Sequence, residues 1–348
     1  MAPQLAVAGF TSAQFIVPLL GRRRAGAPQL AERLARKPFE PAPPSFCIAS
    51  MKHFIYLLSL FFFVACAGEA PTTEETPTAE EPEAATSSTV PSLSLAWETD
   101  TVLTTCESVL YDAGRKQLYV ANIEENPWEM DGNGSIAIID LNGKVVNRYL
   151  VKEGLNAPKG MGLKDGKLFA ADINAVVEID IEEGTILARH SVPDAKNLND
   201  ITVATDGTLY VSDSGTGKAH RMTADNTFET IVSGVERPNG LLALADGHVL
   251  LGDTNGRMLL KVNPADGTKE TITEGVEPDG IIPVGDGSYI VSRGGGQVHH
   301  IAKDGKATLL LDTEADKLQS ADLGYIPEQK LVLVPAFFGN KVMAYRLE

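Results

Sequence analysis

Residues 237–253 read RPNGLLALADGHVLLGD. Forty positions earlier, 197–213 read NLNDITVATDGTLYVSD, and forty later, 277–293 read EPDGIIPVGDGSYIVSR. Each copy holds a short apolar run, an Asp-Gly step and a second apolar run. Asp-Gly between two alternating apolar runs is the strongest short-range signal for a β-hairpin. Three more segments repeat the pattern loosely: ESVLYDAGRKQLYVAN (107–122), PKGMGLKDGKLFAAD (158–172) and ADLGYIPEQKLVLVPA (321–336). A third strand pattern follows every copy, from GSIAIIDL (134–141) to KVMAYRLE (341–348), and a fourth follows the first five, as in TILARHS (185–191). The sixth copy lacks its own fourth strand, and SLSLAWET (92–99) can supply it. No window keeps a 3.6-residue period for long, so helices are not expected. Four short strands in roughly 40 residues make a propeller blade. The expected fold is all-β, a six-bladed β-propeller over 94–348. Closing the ring with the N-terminal strand removes an exposed sheet edge.

The chain ahead of the repeats reads differently. Residues 51–66 are MKHFIYLLSLFFFVAC. Lys52 and His53 give a basic start, Phe54 to Val64 an apolar core, and Ala65 and Cys66 a small-residue cut site, the layout of a secretory signal. The core falls short of the roughly 18 residues needed to cross a bilayer. FVAC resembles a bacterial lipobox, with Phe63 where Leu is usual. The expectation is lipidation at Cys66, which anchors the mature protein in the bacterial cell envelope, on the periplasmic or the exposed face. A signal of this kind acts at a nascent N-terminus. Residues 1–50 therefore read as a non-native upstream extension, with Met51 as the start; an Arg-rich transit-like leader is the alternative. Residues 67–93 hold six Glu and no Lys or Arg among Pro, Thr, Ser and Ala. They read as a disordered acidic tether.

Residues 1–65 carry 7 basic and 2 acidic side chains, which leaves 23 against 44 and a formal charge of −21 for the rest. Nucleic-acid binding needs a basic footprint that this chain lacks. The cysteines are Cys47, Cys66 and Cys106. Cys106 is then alone in the repeats, which excludes a disulfide and a cysteine metal site there. It reads as a buried, inert thiol, and a monomer is the expected state.

Aligning the copies puts Glu107, Lys159, Asn199, Asn239, Asp279 and Ala321 at one position, just before the first strand of each blade. First strands line a propeller's channel, so these residues should meet at one mouth. Glu107, Asn199, Asn239 and Asp279 offer two carboxylates and two amide carbonyls, donors that suit a hard cation such as Ca2+. The set has no Cys or His, which excludes a structural zinc site. The competing account is turn chemistry, since Asn, Asp and Pro-x-Gly favour turns. It covers the PNG and PDG steps but not Glu107. Trp128, in the long insertion NIEENPWEMDGNG (122–134), could stack on a ring substrate, and Lys159 is a separate candidate substrate contact.

CESVLYD (106–112), NDITVATDGTLYVSD (199–213), PNGLLALADG (238–247) and PDGIIPVGDG (278–287) together resemble the regucalcin (SMP-30)/gluconolactonase/LRE-like family, in order and over most of 100–348. Wider kin are paraoxonase-type lactonases and strictosidine synthase-like propellers. The resemblance implies one divalent metal ion in the channel, Ca2+ first, with Zn2+, Mn2+ and Mg2+ as alternatives. It implies Glu107, Asn239 and Asp279 as ligands, Asn199 as a fourth ligand or substrate contact, and Asp279 as general base. The implied activity is metal-dependent hydrolysis of lactones or related esters, with a small-molecule substrate. Two departures stand out. The family pattern ESP is Glu107-Ser108-Val109 here, and no Arg precedes the third-blade Asn, where DAKNLN (194–199) offers only Lys196.

The alternative function is a non-catalytic NHL-like propeller that binds a protein or glycan at the cell surface; a strictosidine synthase-like carbon–carbon bond former is a third. Other motifs fall away. SGTGKAH (214–220) has Ser212 where a phosphate loop needs its first Gly, and RGGGQ (293–297) reads as a hairpin turn. His299 and His300 are adjacent in a strand, so they face opposite sides. No Gly-x-Ser-x-Gly elbow occurs.

Overall fold

A computed structural model describes residues 90–348. The signal sequence, Cys66, Cys47, residues 1–50 and most of the tether lie outside the described residues. The described residues form one compact unit.

The described chain forms twenty-four strands in six four-stranded antiparallel sheets. β1 is Leu93–Glu98. Blade 1 is β2 (Cys106–Asp112), β3 (Gln117–Asn122), β4 (Gly134–Ile139) and β5 (Val145–Leu155). Blade 2 is β6 (Pro158–Lys164), β7 (Lys167–Asp172), β8 (Ala175–Asp180) and β9 (Thr185–Ser191). Blade 3 is β10 (Leu198–Val203), β11 (Leu209–Asp213), β12 (Lys218–Met222) and β13 (Phe228–Val232). Blade 4 is β14 (Pro238–Ala243), β15 (Val249–Asp253), β16 (Met258–Val262) and β17 (Lys269–Glu274). Blade 5 is β18 (Ile281–Pro283), β19 (Tyr289–Arg293), β20 (Gln297–Ile301) and β21 (Ala307–Asp312). Blade 6 is β22 (Gly324–Ile326), β23 (Leu331–Ala336) and β24 (Lys341–Leu347), completed by β1.

This is the six-bladed β-propeller read from the repeats. β1 pairs antiparallel with β24, Leu93 opposite Leu347, so the start of the domain closes its last blade. Two short 3-10 turns are the only helical elements among the described residues.

The second strands are buried along almost their whole length, and the third strands bury their apolar positions, because each blade is sandwiched between two others. Their side chains fill six blade-to-blade layers. Leu118 and Val120 of blade 1 meet Leu333 and Ala344 of blade 6 in one; Leu250 and Leu259 of blade 4 meet Ile281 and Val291 of blade 5 in another. Each fully buried Leu or Ile contributes about 1.5–3 kcal/mol relative to exposure. The fourth strands alternate, as in the exposed, half-buried sequence of β9, because their outer side faces water.

The Asp-Gly steps are the inner hairpins. At Gly207, Gly247 and Gly287 φ is 84°, 85° and 88°, a left-handed conformation that glycine adopts without strain. The preceding Asp caps the turn: Asp206 Oδ1 accepts the Thr208 N–H at 2.9 Å, and Asp246 and Asp286 repeat this with His248 and Ser288. SGTGKAH and RGGGQ also form hairpins, between β11 and β12 and between β19 and β20.

Candidate functional site

The innermost strands of the first four blades are each broken near their start. Register shifts fall between Cys106 and Ser108, Pro158 and Met161, Leu198 and Ile201, and Pro238 and Leu241. Glu107, Lys159, Asn199 and Asn239 sit within these breaks. A bulge turns a side chain that would pack on a neighbouring blade toward the channel. The sequence placed these residues just before the first strand; the structure moves four of them one position inside it. Asp279 and Ala321 precede their strands.

Turn chemistry does not account for PNG and PDG, because neither step is a turn. Gly240 and Gly280 are not left-handed. A Cβ at Gly240 would collide with the Asp279 carbonyl oxygen, and one at Gly280 with the Leu323 amide. The glycines let consecutive blades touch around the axis. Turn chemistry is confined to the Asp-Gly hairpins at the far end of the same strands.

Glu107, Trp128, Lys159, Asn199, Asn239 and Asp279 all line one cavity of about 240 Å3. All six predicted binding and catalytic residues are thus brought together. Ile123, Pro127, Trp128 and Phe337 give it apolar walls, and Arg237 joins the lining. Trp128 is half exposed, and the Lys159 ammonium lies 5.3 Å from its ring centroid.

Glu107 Oε2 and Asn239 Oδ1 are buried with no hydrogen-bond partner in the protein. Such groups are rare in folded proteins, because each costs about 1–3 kcal/mol when left unpaired. Asn199 donates its amide N–H to Ser214 Oγ at 3.2 Å, and Ser214 donates in turn to the Pro238 carbonyl at 2.5 Å. That bond leaves the Asn199 carbonyl oxygen for the cavity. Lys159 Nζ donates to the carbonyls of Pro127 at 3.0 Å and Ala157 at 3.1 Å. Among the described residues no three His, Cys, Asp or Glu side chains form a cluster of metal-binding geometry; an oxygen cage here needs its two amides.

Burial dominates the electrostatics. It holds the Glu107 carboxyl well above its ordinary range, helped by the Asp279 charge and opposed by Lys159. Burial raises Asp279 from 3.8 to about 6, against the opposing Arg237 guanidinium and Asn239 amide. The Lys159 ammonium is pushed down by burial and partly restored by Glu107. Burial also pushes the Cys106 thiol up to about 12, and the chain's one described cysteine is inert, as its sequence context indicated.

Several positioning residues were not read from the sequence. Asp253 accepts the backbone N–H groups of Glu236, Arg237 and Gly256. Asp213 does the same for Lys196, Asn197 and Gly215, and Asp172 for Asn156 and Ala157. Each pins the loop that delivers Asn239, Asn199 or Lys159. The available signal was the Asp that ends LYVSD, VLLGD and LFAAD. Asp322 ties the last blade to the first: its N–H donates to the Glu107 carbonyl at 2.9 Å and its carboxylate accepts Ser108 Oγ at 2.7 Å. Arg237 stands two residues before the fourth-blade Asn239, in RPNG, and the sequence carries no signal that its side chain enters the cavity.

A model of the SMP-30/gluconolactonase/LRE-like region matches residues 105–321. The chain belongs to this family. No curated protein matches the sequence. Among solved structures, a gluconolactonase from Xanthomonas campestris superposes with a TM-score of 0.58 at 15% identity, over 71% of this chain and 88% of that one. A putative gluconolactonase gives 0.56 at 18%, over 73% and 92%. Virginiamycin B lyase from Staphylococcus aureus gives 0.56 at 12%, over 74% and 100%. At these identities the likeness establishes the shared propeller fold. Family and fold support a lactonase-type propeller.

Proposed function

We propose that this protein is a divalent-metal-dependent hydrolase of lactones or related esters, held at the bacterial cell envelope through lipidated Cys66. The observation that carries the metal is the pair of unpartnered buried oxygens, Glu107 Oε2 and Asn239 Oδ1, in one cavity with Asn199 and Asp279. The two carboxylates and two amide carbonyls would hold the ion, with Ca2+ the best match to all-oxygen donors. When bound, the ion supplies a Lewis acid for the carbonyl oxygen.

The chain's own residues supply the rest. Asp279 lines the cavity with the donor set, and its carboxylate is the general base. It takes the proton of the attacking water as the water oxygen bonds to the carbonyl carbon. The ring C–O bond then breaks, and the proton passes to the leaving alkoxide. Lys159 holds a positive charge beside Glu107. Trp128, Phe337 and Ile123 form a dry wall for the body of the substrate.

The family supports this reading over a bare scaffold, and so do two unpaired buried acceptors that a scaffold does not need. A lyase reading has less support. A histidine-to-alanine variant of virginiamycin B lyase is catalytically inactive, whereas no histidine lines this cavity.

The test is metal content and hydrolysis by the full chain, wild type and Glu107→Gln/Asp279→Asn. About one divalent ion per wild-type chain, none in the double variant, and chelator-sensitive turnover of a lactone panel are expected. No bound ion and no turnover would refute the assignment. For the anchor, the protein should fractionate with membranes and Cys66→Ser should release it; an unchanged distribution would refute lipidation there.

A further inference from the structure

Eight arginines fall in the described residues. Seven use their guanidinium groups: Arg115, Arg148, Arg189, Arg221 and Arg293 pair with carboxylates, Arg257 pairs with Glu277, and Arg346 donates to the Gln329 carbonyl. Arg237 differs. Its backbone is fixed on both sides, the N–H donated to Asp253 Oδ1 at 3.0 Å and the carbonyl accepting from the Thr254 N–H at 3.0 Å. Its guanidinium donates no hydrogen bond and lies within 4.0 Å of no carboxylate among the described residues, yet it lines the cavity with Asp279 and Lys159. A fixed backbone that presents five free N–H donors into a small site is an anion receptor.

We propose that Arg237 recognises a carboxylate on the substrate, so that the substrate class is lactones or esters that carry an anionic group. The proposal rests on the lactonase reading for the reaction, but its own ground is the free guanidinium. Charge balance supports it. The cavity contains two carboxylates, Glu107 and Asp279, and two cations, Lys159 and Arg237. With a divalent ion added the site is net positive, inside a chain of formal charge −16. A substrate carboxylate offsets that excess where the fork of a guanidinium can grip both oxygens. A tetrahedral phosphate needs donors on more than one side, whereas the one free guanidinium offers a planar fork, so the planar carboxylate is the better match. The apolar wall of Ile123, Trp128 and Phe337 takes the ring, and the position of Arg237 relative to Asn239 places the carboxylate on the blade 4 side.

The experiment uses the full chain, wild type, Arg237→Gln and Arg237→Lys, with a five-membered lactone carrying a ring carboxylate and its primary carboxamide as the paired probe. Two ratios are read: kcat/KM for carboxylate over carboxamide with metal, and the ratio of Kd values by calorimetry in chelator. Wild type should favour the carboxylate by about tenfold or more in both ratios. Arg237→Gln should bring both within twofold of unity, and Arg237→Lys should keep part of the preference, because an ammonium retains the charge but not the fork. Turnover of both probes with no preference, or a preference that survives Arg237→Gln, overturns the proposal and leaves the lactonase reading standing. A binding preference lost in Arg237→Gln, with no turnover of either probe, supports the proposal and sinks the lactonase reading instead.

Discussion

Asp279→Asn should make the metal-free protein more stable, and by an amount that depends on pH. In the folded chain Asp279 titrates at about 6 instead of 3.8. Between those values the folded state keeps a proton that the unfolded chain has released. Stability therefore falls as pH rises through this window, and the full penalty persists above it. About two pH units at ~1.4 kcal/mol each give ~3 kcal/mol for this one fully buried carboxyl. Asparagine is the neutral isostere and carries no such penalty. Burial also lowers His220, His299 and His300, which pushes wild-type stability the other way below their ordinary value of 6.5. Those histidines are common to both proteins and cancel in the comparison. The assay is thermal unfolding of wild type and Asp279→Asn in chelator at pH 4 and pH 8. The variant should gain on wild type by roughly 6–12 °C between the two pH values, at about 2–4 °C per kcal/mol for a domain of this size. Excess Ca2+ at pH 8 should reverse the order, because an ion that binds only the intact site stabilises wild type by mass action. Parallel pH profiles, or a variant less stable than wild type at pH 8 in chelator, would refute the account of a site strained by its own unpaired charge.

Three more outcomes test the architecture around the site. Gly240→Ala should cost ~1–3 kcal/mol in urea unfolding and impair lactone hydrolysis, because its Cβ meets the Asp279 carbonyl oxygen. Gly247→Ala, left-handed but with open space around it, should cost about 1 kcal/mol and spare hydrolysis; equal behaviour of the two variants would contradict the close-approach argument. Asp253→Ala strips the acceptor from three backbone N–H groups and should cost ~2–4 kcal/mol, with metal affinity reduced 10–100-fold because Asn239 loses its anchored approach; a stability loss with affinity unchanged would confine Asp253 to the fold. Cys106, with its thiol pushed up to about 12, should resist alkylation at pH 8 in the native protein and react in denaturant, as read by peptide mapping; rapid native labelling would contradict its burial.

The fold was legible because one forty-residue pattern recurs. Asp-Gly marks each inner hairpin, apolar runs mark strands buried on both faces, and the missing fourth strand of the last copy points back to Leu93–Glu98. Three consecutive site positions were legible for the same reason, since Asn199, Asn239 and Asp279 stand forty apart. What the pattern could not show is why glycine follows Asn239 and Asp279. Sequence alone cannot separate a glycine that needs positive φ from one that needs no side chain, and here both kinds occur in one inner hairpin, Gly247 in its turn and Gly240 in its first strand. The bulges were equally invisible, because a one-residue shift in pairing leaves no mark on the pattern of residue types, although it decides which face a side chain takes.

Arg237 shows a different limit. In the sequence it is an arginine before a proline, no different from others that turn out to be paired. It becomes distinctive only when every other described guanidinium is traced to an acceptor and this one is left over. Of the buried side-chain atoms without a hydrogen-bond partner, Glu107 Oε2 and Asn239 Oδ1 are the two that line this same cavity. The two unpaired acceptors are buried and hard to explain by stability, since each could have been satisfied by a neighbour or replaced by an apolar residue at less cost, and the half-buried guanidinium shares their cavity. They are explained together by a ligand that brings what they lack: a cation for the oxygens and a carboxylate for the guanidinium.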